Sequence, residues 1–195
     1  MRPAVFLDRD GTLVRDVGYL SRMDDLRWFP CAIDAIRLLN RAGFLVCVTT
    51  NQGGIGLGFY DADFVRRVHA AMSSEVETAG GRVDAWYFCP HHPEAIVNEL
   101  RTVCDCRKPR PGMIHQATQA FEIDLARSFV VGDKSADVGL AANVGARGIL
   151  VKTGYGYAEL QRHAGPPPGT AFVAETVIDA VSWILREAGF PKQEL

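Results

Sequence analysis

The chain has 195 residues, a size that supports one ordinary domain around a single large core. Apolar residues make up 48% of it and the formal net charge is -2, which excludes the basic footprint of a nucleic-acid binder or of a protein drawn to an anionic membrane. No apolar run is long enough to span a bilayer, and Met1-Arg2-Pro3-Ala4 leads straight into a predicted strand with no signal peptide before it, so the expected compartment is the cytoplasm.

Residues 3–8 form an apolar run that ends in acid and read as a buried strand. Ile33, Ile36 and Leu39 recur at helical spacing in residues 32–41, and Gly43 closes that helix. A strand follows over 44–50, a long amphipathic helix over 61–79 with Asp61 as its cap, and a strand over 85–89. Residues 90–109 are irregular and rich in polar and metal-binding types. A helix is predicted over 111–121 with Pro111 in its first turn, a strand over 128–132, a helix over 135–143 closed by Gly145, and a strand over 148–153. Residues 154–169 read as a Gly/Pro-rich loop, before a last strand (170–173) and helix (176–188).

This alternation implies an α/β fold, a Rossmann-like parallel sheet with helices on both faces. No repeat or linker divides it, so residues 1–195 are expected to form one domain, and the short connections leave no room for a large cap. In such sheets ligands bind beyond the carboxyl ends of the strands. Asp8, Thr50, Cys89 and Asp133 all fall at those ends.

Asp8 and Asp10 directly follow an apolar strand and would resist burial together unless a cation neutralises them. Asp133 brings a third acid from another strand, and magnesium suits a few such oxygen ligands completed by water and phosphate. Taken singly, Asp10-Gly11 is also a turn and Asp133 a helix cap. Gly53-Gly54-Ile55-Gly56-Leu57-Gly58 fails the dinucleotide spacing, because Phe59 stands where the third glycine belongs; a flexible turn whose amides face phosphate is the better reading.

Phe6-Leu7-Asp8-Arg9-Asp10-Gly11-Thr12-Leu13 resembles the first motif of the haloacid dehalogenase superfamily of phosphatases. The resemblance continues in order through Thr50-Asn51-Gln52, Lys108 and Gly132-Asp133-Lys134-Ser135-Ala136-Asp137, and covers essentially the whole chain. It implies that Asp8 attacks phosphorus to form an aspartyl-phosphate and that Asp10 gives and then takes a proton. It further implies Mg2+ on the Asp8 carboxylate, the Asp10 main-chain carbonyl and Asp133, with Thr50 and Lys108 bonding the phosphoryl oxygens. Asn51, Gln52 and Gly53 would line the phosphate site, and Asp137 would order the loop. Lys134 has two readings, a substrate or carboxylate partner and a solvated lysine at a helix start.

The cysteines are Cys31, Cys47, Cys89, Cys104 and Cys106, an odd number that argues against a disulfide framework. Cys89-Pro90-His91 and Cys104-Asp105-Cys106 form a C-x-H…C-x-C set suited to a closed, tetrahedral, structural Zn2+ site in a loop of about residues 89–108. His92 is the alternative fourth ligand, and the family pattern favours His91. Cys31 and Cys47 read as small buried apolar residues.

This loop is similar to that of the branch holding the D-glycero-D-manno-heptose 1,7-bisphosphate phosphatases and the related histidinol-phosphate phosphatases. Its long intervening stretch and Asp16-Val17-Gly18-Tyr19-Leu20 match the heptose pattern, with Val17 standing where a histidine is common. The resemblance implies that Asp16, Gly18 and Tyr19 help enclose a small phosphorylated sugar, and that Arg107 reads its second phosphate or a hydroxyl. The implied activity is hydrolysis of the C7 phosphate by a monomer feeding lipopolysaccharide-type or nucleotide-activated heptose routes. A histidinol-phosphate or broad-specificity phosphatase and a non-catalytic phosphate-binding module are the competing readings.

Overall fold

The computed structural model describes residues 1–189. Six strands form one sheet: β1 (Ala4–Leu7), β2 (Leu45–Asn51), β3 (Ala85–Cys89), β4 (Phe129–Gly132), β5 (Arg147–Val151) and β6 (Thr170–Ala174). Their order is β3-β2-β1-β4-β5-β6, and every pairing is parallel. The chain therefore builds outward from β1 in one direction, then returns to the other side of β1 with β4. That reversal opens a crevice beyond the carboxyl ends of β1 and β4, the place where open parallel sheets take ligands.

Side chains alternate across the sheet as a pleated backbone requires. Val5, Leu7, Val46, Val48, Val131 and Ile149 face a layer made by α1 (Ala32–Arg41), α2 (Ala62–Thr78) and α6 (Val177–Glu187). Ala4, Phe6, Leu45, Cys47 and Val130 face the other layer, α3 (Gly112–Ala120) and α4 (Ser135–Val144). Each helix buries residues three and four apart: Val65, Val68, Met72 and Val76 on α2, and Val177, Ala180, Val181 and Ile184 on α6. Burying one such side chain contributes about 1.5–3 kcal/mol, so β1, apolar on both faces, is the axis of the core. Helix ends follow local chemistry. Asp61 accepts the Phe64 amide at the start of α2, and α4 ends on Gly145 in the left-handed region.

The predicted elements are present with ends shifted by a residue or two, and one correction is needed. Residues 154–169 are not simply a loop, because α5 (Gly156–Arg162) lies within them. Its glycine-rich start hides it, yet that glycine is what lets it dock: a Cβ on Gly156 would stand 1.7 Å from the Val151 carbonyl oxygen. Buried Glu159 then accepts the Ser135 amide at 2.9 Å, which ties α5 to the first turn of α4 and satisfies a free amide there. Among the described residues no second sheet covers the crevice, and no helix is long and apolar enough to cross a membrane.

Candidate active site

Asp8 stands one residue beyond β1 and Asp133 one beyond β4, so adjacent parallel strands deliver both carboxylates to the crevice. Lys108 arrives from the irregular segment before α3 and is buried. Its Nζ donates to Asp8 Oδ1 at 2.6 Å and to the Thr49 carbonyl at 2.8 Å, and lies 2.6 Å from Asp137 Oδ1. Asp8 is pushed up to about 6 overall: burial raises it most, Lys108 pulls it down, and Asp137 raises it again. Burial acts to lower Lys108, but Asp137 and Asp8 outweigh it and hold the ammonium above its ordinary range. Lys108 is therefore a fixed cation beside the atom expected to attack.

Asp133 is the most strained of the acids electrostatically. Its Oδ2 accepts the Tyr155 amide at 2.8 Å, while Oδ1 accepts no hydrogen bond among the described residues and has Lys134 Nζ 3.9 Å away. Burial, followed by the Asp8 charge, pushes its carboxyl up to about 8. The backbone closes tightly around it: a Cβ on Gly11 or on Gly154, both at positive φ, would fall 2.0 or 2.1 Å from Asp133 Oδ2. An orphaned, buried carboxylate oxygen beside the Asp8 and Asp137 oxygens is an all-oxygen donor set that a hard divalent cation fits.

Asp10 is held differently. Arg9, 1% exposed, pairs with both Asp10 oxygens, Nη2 lying 2.8 Å from Oδ2. Gln52 Nε2 donates to Asp10 Oδ2 at 2.8 Å and to Thr50 Oγ1 at 2.7 Å, and Tyr60 donates to Gln52 Oε1. Burial raises Asp10, but the Arg9 charge and the Arg9 and Gln52 hydrogen bonds more than offset it, so the carboxyl lies below its ordinary value. Arg9 Nη1 in turn contacts Nε2 of buried His69, whose ring stacks on Trp86.

Some expected substrate contacts turn out to be scaffolding. Gln52 is buried, 2% exposed, and orients Asp10 and Thr50 rather than facing the cleft. Both ends of the Asn51 amide grip the Lys108 backbone, at 3.0 Å to its nitrogen and 3.3 Å to its oxygen, although Asn51 also reaches the cleft wall. Asp137 accepts the Lys134 amide and neutralises Lys108, a pairing that its position at a helix start does not announce. Nothing local in the sequence marks Arg9 and His69 for this role, beyond an arginine placed between two acids.

An open cleft of about 320 Å3 lies beside the centre, lined by Asp16, Gly18, Tyr19, Asn51, Gly53, His92, Arg107, Lys134 and Tyr155. Asp16 Oδ1 accepts the Gly18 amide, forming a local turn, and Oδ2 accepts Lys134 Nζ at 3.2 Å. Lys134 also lies over the Tyr155 ring at 4.5 Å, and Tyr19 packs on Phe59. Burial acts to lower Lys134, but Asp133, Asp8 and Asp16 hold it well above its ordinary value. Of the two readings of this lysine, the geometry is that of a carboxylate partner.

Beside the cleft, Cys89, His91, Cys104 and Cys106 converge. The sulfurs lie 3.1–3.5 Å apart, and His91 Nδ1 is 3.5 Å from Cys89 Sγ and 3.2 Å from Cys106 Sγ. These spacings are far too long for a disulfide and a little under the edge of about 3.8 Å that zinc–sulfur bonds of about 2.3 Å give a tetrahedron. Three thiols and an imidazole so arranged, with no open position, fit a structural zinc. His92 points elsewhere and is not part of the cluster. Cys47 is buried as expected, but Cys31 is exposed; it sits at positive φ ahead of α1 rather than in the core.

An HAD-hydrolase-like family model matches residues 105–180. A D-glycero-D-manno-heptose-1,7-bisphosphate 7-phosphatase from Thermosynechococcus vestitus is 42% identical over 190 residues, which is 94% of this chain and 95% of that one. The chain belongs to the heptose-bisphosphate phosphatase branch of the HAD-like hydrolases. An Escherichia coli K12 member of that branch, a D-glycero-beta-D-manno-heptose-1,7-bisphosphate 7-phosphatase, is 45% identical over 78% of this chain and 80% of its own. The D,D-heptose 1,7-bisphosphate phosphatase from B. bronchiseptica, solved with magnesium and phosphate, superposes with a TM-score of 0.84 at 33% identity, over 96% of this chain and 99% of that one. The parallel sheet is thus that of a HAD-like phosphatase.

Proposed function

We propose that this single-domain enzyme hydrolyses the C7 phosphate of D-glycero-D-manno-heptose 1,7-bisphosphate to leave heptose 1-phosphate. The observation that carries the reading is one cleft with two cations on its wall, Arg107 and Lys134, where Arg107 adjoins Lys108 of the buried Asp8–Lys108 pair and Lys134 Nζ lies 3.9 Å from Asp133 Oδ1. A substrate with a phosphate at each end matches that layout, and the relatives of this branch bear the activity in their names.

Asp8, the Asp10 carbonyl and Asp133 would hold Mg2+, which when bound offsets the charge of the carboxylates and of the phosphoryl oxygens. Asp8 Oδ attacks phosphorus as the P–O7 bond breaks, and Lys108 and Thr50 stabilise the phosphoryl oxygens. Asp10 protonates the leaving O7. It then takes a proton from water, whose oxygen attacks phosphorus and frees Asp8 and inorganic phosphate. Arg9 keeps the resting Asp10 ionised, which suits the second step. The negative charge of an arriving phosphate opposes Arg9 and favours the protonated form needed in the first step. Asp16, Gly18 and Tyr19 would close over the sugar. Zn2+ on Cys89, His91, Cys104 and Cys106 would hold the loop that ends in Arg107 and Lys108. Reduced thiols of this kind fit a cytoplasmic enzyme, and we take it to act as a monomer.

The test is a kinetic panel of both heptose bisphosphate anomers against histidinol phosphate. The heptose substrates should give the higher kcat/KM by at least about tenfold, a difference of about 1.4 kcal/mol in transition-state binding. A preference for histidinol phosphate would overturn the reading.

A further inference from the structure

Cys89-Pro90-His91-His92-Pro93 sets two imidazoles side by side, and the fold sends them to different places. His91 enters the cysteine cluster. His92 lines the cleft with Asn51, Gly53 and Arg107. Its Nδ1 accepts the Glu94 amide at 3.1 Å. A backbone amide only donates, so that nitrogen carries no proton and the neutral ring bears its hydrogen on Nε2. Nε2 has no hydrogen-bond partner among the described residues, though the ring is half-buried. The tautomer is therefore set by the loop, and it presents a donor.

Gly53 gives a second, independent constraint. A Cβ built there would stand 2.9 Å from His92 Cδ2 and 3.3 Å from Arg107 Nη1. Cδ2 is bonded to Nε2, so the donor edge of the ring lies against the glycine turn that follows β2, beside the Arg107 guanidinium. Any side chain at residue 53 would push both groups out of their places. A neutral donor and a cation held together over one glycine make a pair suited to an oxygen-rich ligand.

We propose that His92 is a substrate-binding residue whose Nε2–H donates to an oxygen on the non-reacting part of the substrate, a sugar hydroxyl or the second phosphate. This rests on the sugar bisphosphate reading above. It also gives the paired histidines separate duties. The cluster fixes His91, and the peptide bond carries that constraint to the donor beside it.

The experiment compares full-length zinc-loaded enzyme with His92→Leu and His92→Gln, using heptose 1,7-bisphosphate, heptose 7-phosphate and p-nitrophenyl phosphate. In His92→Leu the ratio of kcat/KM for the bisphosphate over p-nitrophenyl phosphate should fall about tenfold, the scale of one lost hydrogen bond. His92→Gln, which keeps a donor, should recover part of it, and both variants should retain zinc. A fall with the bisphosphate alone assigns the contact to the second phosphate; a fall with heptose 7-phosphate as well assigns it to a hydroxyl. An unchanged ratio with both sugars, or loss of zinc from His92→Leu, overturns the proposal. Failure of the functional reading itself would show in the wild-type panel, before any variant is compared.

Discussion

Asp8 and Asp133 hang from strands paired in register from Val5–Phe129 to Leu7–Val131, whereas Lys108 ends a stretch whose one regular piece between β3 and α3 is a single short turn, Asn98–Leu100. The first pair is placed by the sheet. The lysine has no such support. Its backbone is gripped by Asn51, its ammonium by two carboxylates, and the loop before it is drawn together at four cysteine and histidine side chains. Hydrogen-bonded secondary structure fixes one half of the centre and side-chain chemistry the other. Separate perturbations should therefore damage chemistry and placement independently.

The largest effect belongs to the sheet-borne half. Asp8→Asn should lower kcat by at least about 10^4-fold, as loss of a nucleophile does, and Asp10→Asn should come close, with circular dichroism and zinc content unchanged. Near-normal turnover in purified Asp8→Asn would remove it as the nucleophile. Lys108→Met should lower kcat by about 10^2–10^3-fold. Because it also leaves Asp8 and Asp137 facing each other without their shared cation, it should lower stability by about 3–5 kcal/mol in denaturant melts.

Zinc tests the loop-borne half alone. Cys106→Ser, or zinc removal with magnesium restored afterwards, should lower activity about tenfold through misplacement of Lys108 and Arg107, while the far-ultraviolet spectrum of the sheet persists. A zinc-free, folded sample with full activity would mean that Asn51 and the carboxylates suffice to hold the lysine. The smallest effect concerns the support of Asp10. Burial, then the Arg9 charge, depresses His69 from its ordinary 6.5 to about 3. Between those values the unfolded chain binds the extra proton, so the stabilising contribution is complete above pH 6.5 and is lost as pH falls toward 3. His69→Gln should flatten that part of the stability–pH curve in melts between pH 7.5 and 5. An unchanged slope would place the titrating group elsewhere.

Much of this was legible in the sequence because strand ends punctuate it. An apolar run broken by acid at Asp8, and another by Gly132-Asp133, mark both the element boundary and the chemistry. The C-x-H…C-x-C spacing pointed to four side chains that lie within one small cluster. What escaped was tertiary. α5 begins with a glycine that local propensity disfavours, and only its fit against Val151 and the Glu159 bond to α4 make it a helix. Gln52 and Asn51 sit where substrate ligands are expected, yet long-range partners, Asp10 and Lys108, claim their amides. Arg9 looks like a surface residue, and only a buried acid and histidine in the fold give it a place inside.

Gly11 and Gly154 make no chemical contribution, yet their backbones close on Asp133 so tightly that even a methyl group would overlap it. Mutational tolerance here should therefore follow space as well as reactivity. In a library selected for turnover, these two positions should be depleted as severely as Asp8 itself, alanine included. A family seen only through its variation would rank them among its active groups, when what they supply is emptiness.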